Sequence, residues 1–385
     1  MVLSVVAAEE ILFTAFGDYG RSCDTLDEVV DTLNDQSKAR FSVLLGDMAY
    51  PDGFQYNGDR YFRIFERFSS SADKFYAVLG NHDYRGSIDA IRAYASEHAK
   101  FVFPTSGKAA YHSKTVSLPN GYTLCMLFID TMHLEPPHLA WMHDELKKCP
   151  GDTTFRFVFG HYPMYSVGIY ADSSSTRRTR DLLEPIFNRY GVHAYVCGHE
   201  HQMQSFVKKG RHYIISGAVA ELNRNGEIRE DVHKDILKYA YNGGPAFANF
   251  RYIDDGKLEY TFRDASDGGR VLHRASVSVK DVRGEEGIEA APKKLKGAQG
   301  CTSPAPGTVE PSKAPKKAIK TTGKPDEDSR SVVEPCDDDW DWDEIDPKLV
   351  ANDIDNSNDD GSKAVHVLEI STFIAAIIAA CIVSI

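Results

Sequence analysis

Five stretches of this chain end alike: an apolar run, a glycine at or beside the turn, then a side chain that can offer a lone pair. Gly17 precedes Asp18, and Gly46 precedes Asp47, with Tyr50 three residues on. Gly80 precedes Asn81 and His82 in a GNHD stretch, Gly160 precedes His161, and Gly198 precedes His199 and His201 in a CGHEH stretch. A single Gly-Asp is an ordinary turn, and two histidines one residue apart cannot fill a metal site alone. Five such ends in succession, each bearing oxygen or nitrogen donors, describe one convergent site. Glycine lets the backbone turn sharply beside it.

The donors narrow the chemistry. Asp18, Asp47, Tyr50 and Asn81 offer oxygen, and His161, His199 and His201 offer nitrogen. Seven candidates exceed what one tetrahedral zinc takes, so two metals are implied. Asp47 is the natural bridge between them. The hard, anionic phenolate of Tyr50 suits a trivalent ion such as iron(III). An amide with imidazoles suits a divalent first-row metal. The CGHEH loop would give one imidazole to each ion.

The elements that must hold these side chains are short. Ile11–Phe16, Phe41–Leu45, Phe75–Leu79, Leu124–Ile129, Phe155–Phe159 and Ala194–Val196 are rich in Val, Ile, Phe and Leu and read as strands. Between them Leu26, Val29, Val30 and Leu33 recur at helical spacing, as do Leu183, Ile186 and Tyr190. A helix is also expected around Trp141. Strand–helix alternation predicts an α/β fold, and the carboxyl ends of its strands are where ligands collect. Later runs at Tyr213–Ser216, Ala246–Ile253, Lys257–Arg263 and Val271–Val279 read as further strands. The expected architecture is two packed mixed β-sheets flanked by helices. Residues 1–9 read as a signal-peptide remnant, 10–279 as the catalytic domain, 280–362 as a disordered linker and 363–385 as an apolar tail.

The net charge is −12, yet fifteen Asp and Glu against two basic residues between Asp326 and Asp360 carry more than all of it. The body is near neutral, which gives no sign of a nucleic-acid binder. Residues 287–325 are rich in Ala, Pro, Gly and Lys and read as a basic tether. The acidic stretch that follows, with Trp340 and Trp342, reads as disordered. Val2–Ala8 resembles the end of a signal peptide, without a charged start. The sixteen uncharged residues Ile370–Ile385 fall short of the roughly 20 that a spanning helix needs. With Asp360-Gly361-Ser362 before them they match a GPI-attachment signal, and a tail-anchored helix is the alternative. The expected location is the secretory pathway, a cell surface or an endosomal or lysosomal membrane. None of the seven cysteines forms a CxxC pair, so a zinc–thiolate site is not expected. Cys125 and Cys197 sit in apolar runs and read as buried thiols; one or two disulfides stay open in an oxidising compartment, with no connectivity readable.

The order DxG, GDxxY, GNHD, VxxH and GHxH resembles the purple acid phosphatases of the metallophosphoesterase superfamily, the small tartrate-resistant type most of all. The resemblance spans Ile11 to Val279, with echoes at His161–Pro163, Tyr213–Ala218 and Gly243–Ala248. It implies an αββα sandwich. It implies that Asp18, Tyr50 and His201 hold iron(III), that Asp47 bridges, and that Asn81, His161 and His199 complete a site for divalent iron, zinc or manganese. His82 would face the substrate and protonate the leaving group. In the small type a second substrate-facing histidine lies nine residues beyond the His161 position, where this chain has Tyr170. Asp130 is soon followed by Pro136-Pro137, so the family's cleavable loop is shortened. The disulfide partner expected for Cys197 is missing, because Glu135 occupies its position. Asp83 and Glu200 are expected behind the site, not as ligands. His98, His112, His133, His138, His143, His193, His212, His233, His273 and His366 need no role.

The implied activity is hydrolysis of small phosphomonoesters or phosphoproteins by a metal-bound hydroxide at a dinuclear Fe(III)–M(II) centre. Asn81, His82 and Tyr170 would contact the substrate. Two alternatives stand. One is a phosphodiesterase or nucleotidase with the same donors. The other is a membrane-anchored, non-catalytic scaffold.

Overall fold

The computed structural model describes residues 10–284, apart from 57–58, 150, 224–225 and 254–255. The N-terminal apolar segment, the linker from residue 285 on, the acidic stretch and the apolar tail lie outside the described residues. By compactness the chain divides at Asp337, and all described residues belong to the first unit.

The elements run β1 (Phe13–Phe16), α1 (Asp24–Asp35), β2 (Phe41–Leu44), α2 (Arg60–Phe68), β3 (Phe75–Ala77), α3 (Ile88–Glu97), β4 (Phe101–Val102), β5 (His112–Ser117), β6 (Thr123–Phe128), α4 (Pro136–Lys148), β7 (Thr154–Phe159), α5 (Ser174–Tyr190), β8 (Ala194–Cys197), β9 (Met203–Lys208), β10 (Arg211–Ser216), β11 (Leu237–Tyr241), β12 (Ala246–Ile253), β13 (Lys257–Asp264) and β14 (Arg270–Ser278). They form two seven-stranded sheets, ordered β14-β13-β12-β1-β2-β3-β4 and β11-β9-β10-β8-β7-β6-β5. Both sheets are mixed. β1 to β4 run parallel while β12 to β14 are antiparallel, and β6, β7, β8 and β10 run parallel with antiparallel strands at the flanks.

The layers follow from side-chain alternation along the strands. On β1, Phe13 and Ala15 join a core between the sheets, while Phe16 faces the opposite way into a second core with Leu26, Val29 and Leu33 of α1 and Phe65 and Phe68 of α2. Phe13 stacks on Phe41 and Phe250 of its own sheet, with ring centroids 5.0 and 4.2 Å apart. It meets Phe157 and Phe159 of the other sheet edge-on, at 6.3 and 5.9 Å. These aromatic contacts add to the area they bury. A third core joins the second sheet to α4 and α5 through Met142, Leu146, Leu183, Ile186 and Phe187. The order is therefore helices, sheet, sheet, helices, the expected sandwich.

Several elements lie outside the expected set: β4, β5, β9, β11, α2 and α3. The loop that carries Tyr170 ends at Ser173, whose hydroxyl caps α5 by accepting from the Thr176 N–H at 3.1 Å. Cys125 is not a free thiol. It is disulfide-bonded to Cys149, with Cα atoms 6.0 Å apart, because the β6 face that carries Cys125 packs against the end of α4. Cys23 and Cys197 are the free cysteines among the described residues, and both are buried. No helix of the described residues is long and apolar enough to cross a membrane.

Candidate metal centre

The seven candidate donors stand just beyond the carboxyl ends of five parallel strands. Asp18 follows β1, Asp47 and Tyr50 follow β2, and Asn81 follows β3, all in the first sheet. His161 follows β7, and His199 and His201 follow β8, in the second. Three of them, Asp18, Asp47 and His199, hold the left-handed backbone, with φ of +60°, +51° and +68°. That conformation costs a non-glycine residue roughly 1–3 kcal/mol and persists only where surrounding contacts impose it.

These contacts converge on Asp47. Its Oδ2 lies 3.3 Å from His161 Nε2 and 3.2 Å from the Tyr50 hydroxyl, which donates to it. The same hydroxyl lies 3.1 Å from Asp18 Oδ1 and 3.4 Å from His201 Nε2. His201 Nε2 is 3.5 Å from Asp18 Oδ1, and His161 Nε2 is 3.1 Å from Asn81 Oδ1. Donor atoms of Asp47, His161 and His199 all fall within 4.8 Å of one another. The site thus has two halves that share Asp47: Asp18, Tyr50 and His201 on one side, Asn81, His161 and His199 on the other.

The fit of a cation can be tested on His161. Its Nδ1 lies 2.8 Å from the Leu45 carbonyl, which can only accept, so Nδ1 carries the proton. The Nε2 lone pair then points at two oxygens, Asn81 Oδ1 and Asp47 Oδ2. Three converging lone pairs repel unless a positive charge sits among them. Burial lowers the His161 pKa, but the Asp47 charge and hydrogen bond prevail and push it to about 9. Asp47 is held below its usual range: burial works against this, and His161, His82 and His199 overcome it. Tyr50 is raised by burial and by the charges of Asp18, Asp47 and Glu221. A proton held between carboxylate and imidazole, and a phenol held among carboxylates, mark where cations would be stable. The donor set fits two metal ions.

Groups behind the donors fix them. Asp83, fully buried, accepts the Asp47 and Gly80 N–H groups on Oδ2 at 3.0 and 2.9 Å and the Met48 N–H on Oδ1 at 2.9 Å. Asp18 Oδ2 accepts the His199 N–H at 3.0 Å, tying the two sheets together across the site. A side chain at Gly46, whose φ is +92°, would strike His161 Nδ1 and the Gly80 backbone. Buried Glu200 accepts from the Ser166 hydroxyl at 2.7 Å and from the Tyr170 N–H at 3.1 Å, and so ties the loop before α5 to the CGHEH loop.

His82 is 5% exposed and stands beside the centre. Its backbone N–H donates to Asp47 Oδ1 at 2.9 Å, and its ring centroid is 4.4 Å from that of Tyr50. Nδ1 donates to the Pro51 carbonyl at 2.8 Å, which turns Nε2 to the opposite edge of the ring. Tyr170 stacks on His199 with centroids 4.0 Å apart. Tyr162, which lies inside the His161–Pro163 echo but is given no role by the sequence, meets His199 edge-on at 4.5 Å. His199 is thus flanked by two half-buried tyrosines at the mouth of the site.

A family model described as calcineurin-like phosphoesterase matches residues 11–203, half of the chain, and the match takes in all seven donors. The chain belongs to the calcineurin-like phosphoesterase family. Among curated relatives of this phosphoesterase, tartrate-resistant acid phosphatase type 5 of Rattus norvegicus is 27% identical, with 70% of this chain and 91% of the relative covered. The Homo sapiens protein of the same name is 25% identical over 70% and 91%. Purple acid phosphatase 7 of Arabidopsis thaliana is 25% identical over 70% and 87%. Two solved structures share the fold. One is described as GAP50, the anchor in the inner membrane complex of Plasmodium, with a TM-score of 0.58, 18% identity, and 70% and 88% coverage. The other is purple acid phosphatase PPD1 from yellow lupin, with a TM-score of 0.55, 14% identity, and 69% and 53% coverage. The phosphoesterase fold places the donors at strand ends that its sequence marks with glycines.

Proposed function

We propose that this phosphoesterase is an acid phosphatase of the purple type, hydrolysing phosphomonoesters at a dinuclear centre. Asp18, Tyr50 and His201 would hold iron(III), Asn81, His161 and His199 a divalent iron, zinc or manganese ion, and Asp47 would bridge. The observation that carries this reading is the contact of the Tyr50 hydroxyl with Asp18 Oδ1 and Asp47 Oδ2 at 3.1 and 3.2 Å, the same Asp47 oxygen that His161 Nε2 approaches at 3.3 Å. Bound metals offset phosphate charge and lower the pKa of water to about 7 in the zinc case.

The protein's own groups do the rest. His82, anchored through Nδ1 on Pro51 and packed beside Tyr50, would give a proton to the departing ester oxygen. Asn81 and His82 contact the ester. Tyr170 and Tyr162 wall the His199 side and keep bulk water from that face.

The test is the visible spectrum and metal content of the purified full-length protein, with p-nitrophenyl phosphate turnover measured across pH on the same sample. Two metals including iron, acid-range turnover, and a broad visible band lost in Tyr50→Phe would support the reading. Turnover with two metals but no such band would keep the hydrolase and remove the iron–tyrosinate. Faster turnover of bis(p-nitrophenyl) phosphate would favour the diesterase.

A second reading, a membrane-anchored scaffold without catalysis, draws on the apolar C-terminal segment and on the description of the Plasmodium structure as an anchor. That likeness is one of fold. The complete donor set supports the enzyme, and a folded protein that takes up no metal and turns over no ester would favour the scaffold. Attachment to a membrane through residues 363–385, by GPI or as a tail anchor, is compatible with either reading.

A further inference from the structure

Outside the donor set, one carboxylate–imidazole pair stands at the same end of the sheets. Asp130 lies two residues beyond the end of β6, and its side chain is 5% exposed, whereas that of His133 is 52% exposed. Asp130 Oδ2 accepts from His133 Nδ1 at 3.0 Å and from the Tyr84 hydroxyl at 2.5 Å, while Oδ1 accepts the Met132 N–H at 3.0 Å. The Tyr84 and His133 rings meet at 4.7 Å.

Both neighbours of this segment belong to the site. Tyr84 lies two residues beyond His82, on the turn that carries Asn81. Thr131 Oγ1 accepts the N–H of Tyr162, the residue after His161, at 3.0 Å. The stretch Asp130–His133 is therefore strapped to the turns that present Asn81, His82 and His161. Because Nδ1 is committed to Asp130, the free edge of the imidazole is Nε2, and the ring is half in solvent. Exposed Arg178 of α5 is close enough for its charge to act on this imidazole, as do Glu135 and Asp130. His138, whose Nδ1 donates to the His133 carbonyl at 3.2 Å, packs beside it.

We propose that His133, oriented by Asp130 and accompanied by Arg178, is a specificity-determining residue that binds a second anionic group on the leaving side of the ester. The substrate class it selects is phosphomonoesters whose leaving group carries its own negative charge. The inference rests on the phosphatase reading. The hydrogen bond to Asp130 and the charges of Asp130 and Glu135 raise the His133 pKa against burial and Arg178, so the ring carries its positive charge more readily than a free imidazole.

The experiment compares two ligands that differ by one carboxylate. Full-length protein is titrated calorimetrically with phenylphosphonate and 4-carboxyphenylphosphonate, and KM and kcat are measured for the two matching phosphate esters. The wild type should favour the carboxylated member of each pair by about 1.5- to fivefold, the range for a partly exposed charge contact. His133→Ala should remove that preference, acting on KM far more than on kcat, and His133→Lys, which restores the charge, should recover part of it. Asp130→Asn should weaken the preference by freeing the ring. A wild type that binds both phosphonates alike, or a His133→Ala protein weakened equally toward both, would overturn the proposal. A preference seen in binding with no turnover of either ester would sink the phosphatase reading and leave the anion contact standing.

Discussion

Asp83 grips Asp47 from behind: the Asp47 N–H donates to Asp83 Oδ2 at 3.0 Å, while the Asp47 carboxylate faces the other donors. Two acids of opposite use stand back to back, one a candidate metal bridge and one a buried acceptor for three backbone N–H groups.

Removing that acceptor should cost both stability and metal. Asp83→Ala leaves three buried N–H groups unpaired, each worth about 1–3 kcal/mol. We expect a lower Tm and less than one metal per chain by elemental analysis. A variant that keeps the wild-type Tm and metal content would show that water or a shifted loop replaces the carboxylate.

A methyl group at position 46 should disturb the centre without touching any donor's identity. In Gly46→Ala the new Cβ would lie 2.6 Å from His161 Nδ1 and 2.7 Å from the Gly80 N, at a φ of +92°. The strain should cost roughly 1–3 kcal/mol. Metal affinity should fall with it, because the contact that sets the His161 tautomer is pushed aside. Titration of the metal-free protein with zinc would measure the change.

Stability should fall as the pH drops from about 6.5 to about 4, because of a histidine far from the centre. His193 is 1% exposed, accepts the Arg156 N–H on Nδ1 at 3.0 Å and donates from Nε2 to the Val279 carbonyl at 3.1 Å. Both nitrogens are used in the neutral form. Burial lowers its pKa to about 4 from the ordinary 6.5. The unfolded chain therefore takes up a proton below 6.5 that the fold refuses until about 4. The contribution is complete above 6.5 and lost on acidification through that window. Thermal melts between pH 7.5 and 4.5 should show His193→Gln less stable at the high end. Its dependence on pH should be shallower by about 1.4 kcal/mol per pH unit in that window. His112 and His212, also lowered to about 4 by burial, act in the same direction and remain in the variant.

The disulfide should matter to the fold and not to the donors. Cys125–Cys149 closes a separation of 24 residues between β6 and the end of α4, worth about 3.5 kcal/mol in chain entropy. Cys149→Ser should lower the Tm while leaving metal content as in the wild type. Equal Tm values with and without reductant would show that the two thiols are not joined in solution.

Much of the centre is legible in the sequence because five of the seven donors directly follow a glycine at the end of an apolar run, and Tyr50 and His201 lie within four residues of one. The inner strands are legible for the same reason, being continuous apolar stretches such as Phe155–Phe159. What escapes has a physical cause in each case. β5 reads His-Ser-Lys-Thr-Val-Ser, an exposed edge with no apolar run to mark it. β4 is two residues long. The Cys125 thiol looks like a core residue until the end of α4 brings Cys149 against it. α2 buries Phe62, Phe65 and Phe68 at helical spacing, a signal that was present and that strand-centred reasoning overlooks. Asp130 offers no donor pattern, and Tyr162 sits in the His161–Pro163 echo without a donor role. Only the packing of β6 beside β7, and of the loop before α5 against the histidine loop, gives them neighbours in the site.

The split of donors between two sheets has a consequence for how the protein can be judged in a tube. The first sheet carries Asp18, Asp47, Tyr50 and Asn81, and the second carries His161, His199 and His201, so neither half alone can present the whole set. A misfolded or clipped chain would keep every donor in its sequence and still bind at most one ion poorly. The centre acts as a coincidence detector for tertiary assembly. On the dinuclear reading proposed above, the ratio of metal to protein in a preparation would double as a count of the molecules whose two halves have found each other.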